Sequence, residues 1–141
     1  MRVVILGCGR VGASLAAELS RRGHQVRILD SDEENFRRLP AELRNRGAEG
    51  GEGIEVLGDG TQEEDLVRAG IDQADVFVAT LPQDTPNLLA AQIAQQIYHV
   101  PQVLCRLNDS ERQEIYQALG LRVVNAIQPV VDALLSFVPE A

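Results

Sequence analysis

The sequence predicts a doubly wound α/β domain, in which a six-stranded parallel sheet lies between two layers of helices. Apolar runs of strand length alternate with longer amphipathic segments along all 141 residues. Residues 74–80 are almost continuously apolar, which is typical of a parallel strand buried on both faces. The length is that of one domain, and no linker or internal repeat divides it.

The chain begins with a strand, a helix and a second strand. Residues 3–6 form a β-branched run, and the glycines of residues 7–12 open a helix that reaches about Arg22. Gly23 ends that helix, since glycine readily adopts the left-handed conformation that follows a helix C-terminus. Residues 25–30 are the second strand.

The next segment predicts a helix, a loop and the third strand. Ser31 and Asp32 form an N-cap ahead of a helix over residues 33–46. The four glycines of residues 47–53 predict a flexible loop, and a strand over residues 54–57 follows it.

The same alternation continues to the C-terminus. Thr61 is expected to cap a helix over residues 62–69. The remaining elements are strands over 74–80, 102–107 and 122–124, and helices over 86–99 and 110–119. Apolar residues then recur at helical spacing in a final helix, at Ile127, Val130, Val131, Leu134, Leu135 and Val138.

Composition and charge exclude several classes of function. The chain has 21 acidic and 13 basic residues, a net charge of −8, and every base is arginine. Without lysine there is no Schiff-base chemistry and no phosphate-binding loop of the type that requires one. The acidic balance and the absence of tryptophan argue against nucleic acid as a partner.

Metal centres and membrane spans are not expected either. The two cysteines and two histidines show no metal-ligand spacing. No run approaches the roughly 20 apolar residues of a membrane span, and the N-terminal run is too short for a secretory leader. We therefore expect a cytoplasmic protein with reduced thiols and no direct membrane insertion.

The glycines of residues 7–12 fit the G-x-G-x-x-G pattern of a Rossmann-like dinucleotide-binding unit. Gly7 permits a tight turn, Gly9 lets the backbone approach a pyrophosphate, and Gly12 lets helix and strand pack closely. Asp30, 18 residues after Gly12, is placed to accept hydrogen bonds from ribose hydroxyls. Its charge disfavours the 2′-phosphate of NADP. The alternative is a loop of glycines followed by a solvated aspartate.

Further motifs follow in order along the chain. They are Gly23-His24-Gln25-Val26, Gly58-Asp59-Gly60-Thr61, Ala69-Gly70-Ile71, Ala74-Asp75-Val76-Phe77-Val78-Ala79, Asn87-Leu88-Leu89-Ala90 and Arg106-Leu107-Asn108-Asp109. Together with the glycine pattern, they resemble the RCK (regulator of potassium conductance) N-terminal domain, also called the TrkA-N or KTN domain, from Met1 to about Ala126. The resemblance implies a cytosolic domain that binds NAD(H) or an adenine nucleotide (ATP, ADP or AMP). It also implies a homodimer, which can extend to a ring, and a membrane potassium channel or transporter as partner.

The resemblance also implies roles for single residues. Arg10 and Arg106 lie near nucleotide phosphate, Asp59 near the adenine, and Asn87 beside the nucleotide. Each role has a structural alternative. Arg10 would be a solvated residue of the first helical turn, and Arg106 would form an intersubunit salt bridge. Asp59 would be a turn former, and Asn87 would complete an N-terminal helical turn. The full set of candidate cofactor-binding residues is Gly7, Cys8, Gly9, Arg10, Val11, Gly12, Asp30, Ser31, Asp59, Gly60, Thr61, Thr80, Leu81, Asn87 and Arg106.

No catalytic residue is predicted. His24 and His99 precede strands, so they belong to the amino edge of the sheet, opposite a nucleotide. Cys8 and Cys105 fit small buried apolar residues better than nucleophiles. Two rival functions stay open: a fragment of a small NAD-dependent oxidoreductase, and a redox or nucleotide sensor for another partner.

Two segments are expected to depart from the rest of the domain. We divide the chain into a nucleotide-binding domain, residues 1–126, and a C-terminal amphipathic helix within residues 127–141. That helix either packs on its own sheet or, as the resemblance implies, crosses to a second subunit. Residues 47–53 lengthen the family's usual connection, and the smaller C-terminal ligand domain of many members is not expected here.

Overall fold

A computed structural model describes residues 1–44 and 53–140 and contains a six-stranded sheet in which every strand pair is parallel. The strands are β1 (Arg2–Leu6), β2 (Gln25–Asp30), β3 (Glu55–Leu57), β4 (Val76–Ala79), β5 (Gln102–Leu107) and β6 (Arg122–Asn125). The α-helices are α1 (Arg10–Arg21), α2 (Glu63–Arg68), α3 (Asp84–Gln92), α4 (Gln113–Ala118) and α5 (Gln128–Leu135). The Rossmann-like fold class predicted from the sequence is confirmed.

Each face of the sheet carries its own apolar core. Successive residues of a strand point to opposite faces, so Ile5 and Leu6 of β1 enter different buried clusters. Ile5 packs with Ile28 of β2 on one face, and Leu6 packs with Phe77 of β4 on the other. All four side chains are almost completely buried. This two-sided burial explains why β4 is apolar throughout and β1 is apolar after Arg2.

Because all six strands are parallel, their carboxyl ends lie at one edge of the sheet. The sheet runs β3-β2-β1-β4-β5-β6, so the chain reverses its direction of travel across the sheet between β1 and β4. Leu6 lies beside both Leu29 and Ala79, which brings the carboxyl ends of three strands level. Ligands of open parallel sheets bind at such a reversal point. The functional residues predicted from the sequence follow these carboxyl ends.

The predicted helix over residues 33–46 is wrong. Two short 3₁₀ turns, Glu33–Arg38 and Ala41–Leu43, take its place. Leu39 is extended between them (φ −77°, ψ 145°), because a residue before proline is disfavoured in the helical region and Pro40 follows it. The predicted loop over 47–53 lies outside the described residues apart from Gly53.

Three other helix predictions need correction. Thr61 does not cap α2: the N-cap position is Gln62, without a side-chain cap bond, because the Thr61 hydroxyl donates to Asp59 instead. The helix predicted over 86–99 begins two residues earlier and ends in a π-helical turn, Ile93–Ile97. The helix predicted over 110–119 begins as a 3₁₀ turn, because the Asp109 side chain caps the Glu111 N–H there.

The C-terminal helix α5 lies against little of the domain. Pro129 occupies its first turn, as expected, since a proline N–H would have no helical partner there. Every residue from Ile127 to Glu140 is exposed, including Leu134 and Phe137. In the described part of the chain, no helix is both long and apolar enough to span a bilayer.

Candidate functional site

The glycine loop after β1 combines two tightly packed glycines with an open one. Gly7 has a φ of +100°, a conformation that L side chains rarely adopt. A Cβ on Gly12 would lie 1.8 Å from the Gly7 carbonyl oxygen, so only glycine fits where α1 meets β1. A Cβ on Gly9 would meet nothing within 4 Å. The space over Gly9 is therefore free for a ligand to approach the backbone.

The start of α1 presents donors and a positive charge beside that space. Gly9 is the N-cap, and the first helical bond runs from the Ala13 N–H to the Gly9 carbonyl oxygen. The N–H groups of the first turn thus have no intrahelical partner, and the helix dipole adds positive potential. Arg10 and Val11 are exposed, and the Arg10 side chain makes no hydrogen bond or ion pair with the described residues. These groups suit a phosphate.

Asp30 ends β2 and lies behind the glycine loop with its carboxylate largely engaged. The side chain is 5% exposed. Its Oδ2 accepts from the Cys8 N–H at 2.7 Å, and its Oδ1 accepts from the Asp32 N–H at 2.8 Å and the Asn35 amide at 3.0 Å. A carboxylate accepts about four hydrogen bonds, so Asp30 can accept one more. Ser31 follows it and is exposed.

Asn35 and Arg38 were not predicted from the sequence to belong to this site. The Asn35 Oδ1 accepts from the Arg38 guanidinium at 2.7 Å, while its Nδ2 donates to Asp30. Both residues belong to the 3₁₀ turn after β2. No sequence motif indicates that these two residues belong to the site, because their approach to Asp30 depends on where that turn packs.

The turn after β3 lies at the same edge of the sheet. Asp59 Oδ1 accepts from both the N–H and the hydroxyl of Thr61, at 2.8 and 2.7 Å. The Asp59 N–H in turn donates to Asp65, and this bond, followed by that from Arg68, lowers the pKa of the Asp65 carboxyl. A Cβ on Gly60 would lie 2.3 Å from Leu6 Cδ1, so the turn packs directly on β1. Asp59 itself is exposed.

Thr80 and Asn87 bind protein groups at the end of β4. The Thr80 hydroxyl has the carbonyl oxygens of Leu6 and Gly7 as partners, at 2.8 and 3.0 Å, and so fixes the glycine loop. Asn87 is fully buried, and its amide bonds the Leu81 N–H and the carbonyl oxygens of Leu81 and Arg106. The geometry gives Asn87 and the Leu81 backbone a role in joining the ends of β4 and β5. Their contact with a nucleotide stays a prediction.

Arg106 lies at the same edge, at the end of β5. Its Nη1 donates to the Thr80 carbonyl oxygen at 3.3 Å. Its Nε is buried without a hydrogen-bond partner. The following segment is fixed by Asp84, whose carboxylate accepts from the N–H groups of Asn108 and Asp109 at 2.8 and 3.0 Å. Asp84 is a second residue that the sequence did not single out.

The thiols and imidazoles have unfavourable settings for catalysis. Burial and, to a smaller extent, the nearby charge of Asp30 raise the pKa of Cys8 to about 11, although Arg38 acts in the opposite direction. Burial raises the pKa of Cys105 to about 11 as well. His24 precedes β2 and His99 precedes β5, so both lie at the amino edge, as predicted. Among the described residues, no three His, Cys, Asp or Glu side chains form a metal-binding group.

Sequence comparisons find related proteins over most of the chain. A family model described as the TrkA-N domain matches residues 3–127. The Trk system potassium uptake protein TrkA of Streptomyces coelicolor is 37% identical over 135 residues, which is 96% of this chain but 57% of that protein. The chain therefore spans little more than half the length of this curated relative.

Solved structures share the fold. The TrkA-N domain of the inner membrane protein ybaL from Escherichia coli superposes with a TM-score of 0.80 at 19% identity, covering 98% of this chain and 96% of that one. The GsuK channel bound to NAD gives a TM-score of 0.68 at 25% identity, covering 88% of this chain and 20% of that one. GsuK bound to ADP gives the same score and identity, with 30% of that chain covered.

Proposed function

Because this chain belongs to the TrkA-N domain family, we propose that it is the nucleotide-sensing part of a regulator of potassium uptake. The relative from Streptomyces coelicolor is named a potassium uptake protein, and this chain matches 57% of its length. The regulated channel or transporter, and the placement of this chain on the inner face of the membrane beside it, are parts of the proposal.

One observation carries the nucleotide half of the proposal. The open space over Gly9 lies beside the free N–H groups of α1 and the unengaged guanidinium of Arg10. A phosphate or pyrophosphate there would accept from the backbone while the Arg10 guanidinium balanced its charge. The buried Nε of Arg106, which has no partner, supports a second basic contact at the same edge.

The adenosine half would lie toward β2 and β3. Asp30 has capacity for one further hydrogen bond, which a ribose hydroxyl can donate. NAD(H) and the adenine nucleotides ATP, ADP and AMP all bear this ribose, whereas a 2′-phosphate would meet the Asp30 charge. We therefore propose NAD(H) or an adenine nucleotide as ligand, with NADP disfavoured. Structures of GsuK with ADP and with NAD are consistent with this choice.

Sensing is favoured over catalysis at this edge. The two histidines lie at the opposite edge of the sheet, and the raised pKa values of Cys8 and Cys105 keep both thiols protonated near neutral pH. Regulation by a ligand requires unequal affinity for two states of the assembly. We place those states in the relation between subunits.

A homodimer built through α5 is the assembly we propose. The helix leaves its apolar side chains exposed, including Leu134 (63% exposed) and Leu135 (60%). A groove of about 360 Å³ runs between α1 and the strands β4 to β6, and its walls include Leu15, Val78 and Leu104. Since both surfaces belong to one chain, a two-fold axis would pair each α5 with the groove of the other copy.

Nucleotide binding is tested by thermal unfolding with AMP, ADP, ATP, NAD, NADH and NADP. A ligand at 100 times its Kd should add about 2.7 kcal/mol, or roughly 8 °C in Tm for a chain of this size. Arg10→Gln should reduce the shift from every ligand. Arg21→Gln, at the other end of α1, should leave each shift unchanged. No shift with any of these nucleotides would contradict the proposal.

The dimer is tested by sedimentation at high micromolar concentration. The unaltered chain should sediment as a dimer, and Leu134→Asp should give a monomer, because a charge cannot enter an apolar groove without a partner. Val67→Asp changes an exposed valine of α2 and is the matched control. A monomeric unaltered chain, or a dimer that survives Leu134→Asp, would refute this assembly.

A further inference from the structure

Asn35 lies between a positive and a negative group at the carboxyl end of β2, where we propose that the ribose binds. Its amide lies between Arg38, which can only donate, and Asp30, which as a carboxylate only accepts. Only one orientation of the amide satisfies both neighbours, with the oxygen toward Arg38 and the nitrogen toward Asp30. The order of the three groups therefore follows from their chemistry.

Asn35 restricts the orientation of the Asp30 carboxylate. Asn35 supplies one of the three hydrogen bonds that fix it, and the other two donors are backbone N–H groups of Cys8 and Asp32. A carboxylate held in this way keeps its remaining acceptor site pointed in one direction. That fixed direction favours a ligand donor, such as a hydroxyl, at one position.

Asn35 also binds the guanidinium of Arg38, on the side of its amide away from Asp30. Its Nη1 donates to Asn35 at 2.7 Å, although the residue is exposed and could turn elsewhere. Arginine is the side chain that accommodates the 2′-phosphate in NADP-binding sites of this fold. The neighbouring Arg37 pairs instead with Glu34, at 3.2 Å.

We propose that Asn35 is a positioning residue which sets the ribose specificity of the site, by directing Asp30 to a 2′-hydroxyl and keeping Arg38 from a 2′-phosphate. The inference rests on the proposed nucleotide binding and adds two residues to it. Without Asn35, Asp30 loses a fixed direction and Arg38 loses its neutral partner. The guanidinium is then free to bind a 2′-phosphate and offset the Asp30 charge.

The test compares 5′-AMP with adenosine 2′,5′-bisphosphate, because these ligands differ only in the 2′-phosphate. Their dissociation constants are measured by calorimetry for the unaltered chain, Asn35→Ala, Arg38→Ala and the double variant. Asn35→Ala should lower the ratio of the bisphosphate Kd to the AMP Kd about tenfold, the scale of one hydrogen bond to a charged group. In the double variant the part of this decrease that comes from Arg38 should be lost, so its ratio should lie between those of Asn35→Ala and Arg38→Ala, the remaining difference coming from the loosened Asp30 carboxylate.

The ratio separates specificity from general stability, since misfolding would weaken both ligands together. Arg37→Ala is the matched control and should leave the ratio within twofold of the unaltered value. If the unaltered chain binds AMP but Asn35→Ala leaves the ratio unchanged, this inference is wrong and the proposed function stands. If the ratio of the double variant is as low as that of Asn35→Ala alone, Arg38 is not the phosphate ligand and the inference is also wrong. If the unaltered chain binds neither ligand, this inference fails, and the proposed function fails with it only if ADP, ATP, NAD and NADH do not bind either.

Discussion

Gly9 and Gly12 stand three positions apart in one motif, yet alanine at Gly12 should mainly lower stability, whereas alanine at Gly9 should mainly weaken nucleotide binding. At Gly12 the new Cβ would lie 1.8 Å from the Gly7 carbonyl oxygen and 2.7 Å from the Thr80 hydroxyl. Real Cβ contacts essentially never fall under 3.0 Å. The start of α1 would have to move by more than about 1 Å, which costs about 1–3 kcal/mol as overpacking.

The test is strict because Gly12→Ala should change stability in the opposite direction to an ordinary glycine-to-alanine substitution in a helix. Inside a helix, alanine is favoured over glycine by about 1 kcal/mol, so without the contact the substitution should stabilise the protein. We expect Tm to fall instead, because the contact costs more than this gain: the net loss is up to about 2 kcal/mol, or about 6 °C in Tm at roughly 3 °C per kcal/mol for a chain of this length.

Gly9→Ala should leave the fold nearly intact and remove the binding. The new Cβ meets nothing within 4 Å, and φ is −78°, which any residue adopts. Replacing an N-cap glycine by alanine costs about 0.5–1 kcal/mol, so Tm should fall by less than about 3 °C. The methyl group would occupy the space over the loop, and ADP affinity should fall at least tenfold.

Differential scanning calorimetry and titration with ADP measure both quantities for the two variants. The reasoning is refuted if Gly12→Ala is more stable than the unaltered chain by the roughly 1 kcal/mol of helix propensity, because the backbone contact would then be absent. It is also refuted if Gly9→Ala binds ADP with unchanged affinity, because no phosphate would then approach that backbone.

Two further predictions concern buried groups at the same edge. Asn87→Ala removes three hydrogen bonds and should lower the free energy of unfolding by about 3 kcal/mol, measured with denaturant. Asn108→Ala removes one bond, to the Pro82 carbonyl oxygen, and should cost about a third of that. Equal costs would contradict the role of Asn87 in joining β4 and β5. Cys8 and Cys105, whose pKa values are raised to about 11, should react with a disulfide reagent at pH 8 at least about a hundredfold more slowly than unfolded chain, and faster as the pH approaches 11. Native rates equal to unfolded rates at pH 8 would show that the thiols are exposed.

The sequence predicted the parts of this molecule that local constraints determine. Gly7 and Gly12 were assigned a tight turn and a close packing contact, and the structure confirms both, because no other residue satisfies those geometries. The strand ends were predicted well for the same reason, since a buried parallel strand needs a continuous apolar run. The helix over 33–46 failed because the Leu39-Pro40 step outweighs helix propensity.

Side-chain partners brought together by packing could not be read from the sequence. Asn35 is five residues from Asp30, and Asp84 is 24 residues from Asn108, and neither spacing is characteristic of any motif. Thr61 illustrates the same limit, because its hydroxyl had two possible uses and the turn geometry selected Asp59. Charge and spacing predicted which edge matters, whereas the bonding at that edge depends on the folded packing.

That bonding limits how a nucleotide could act as a signal. Thr80, Asn87 and most of the Asp30 carboxylate already bind protein groups, so a ligand has little side-chain disorder to remove at this edge. Arg10 is exposed and unengaged, and α5 is exposed along its length. If two nucleotides shift an equilibrium between assemblies, their unequal contacts must therefore fall on such exposed groups. Arg10→Gln should then reduce the difference between ADP and ATP in dimer geometry, measured by small-angle scattering, more than any substitution of the buried network that preserves the fold.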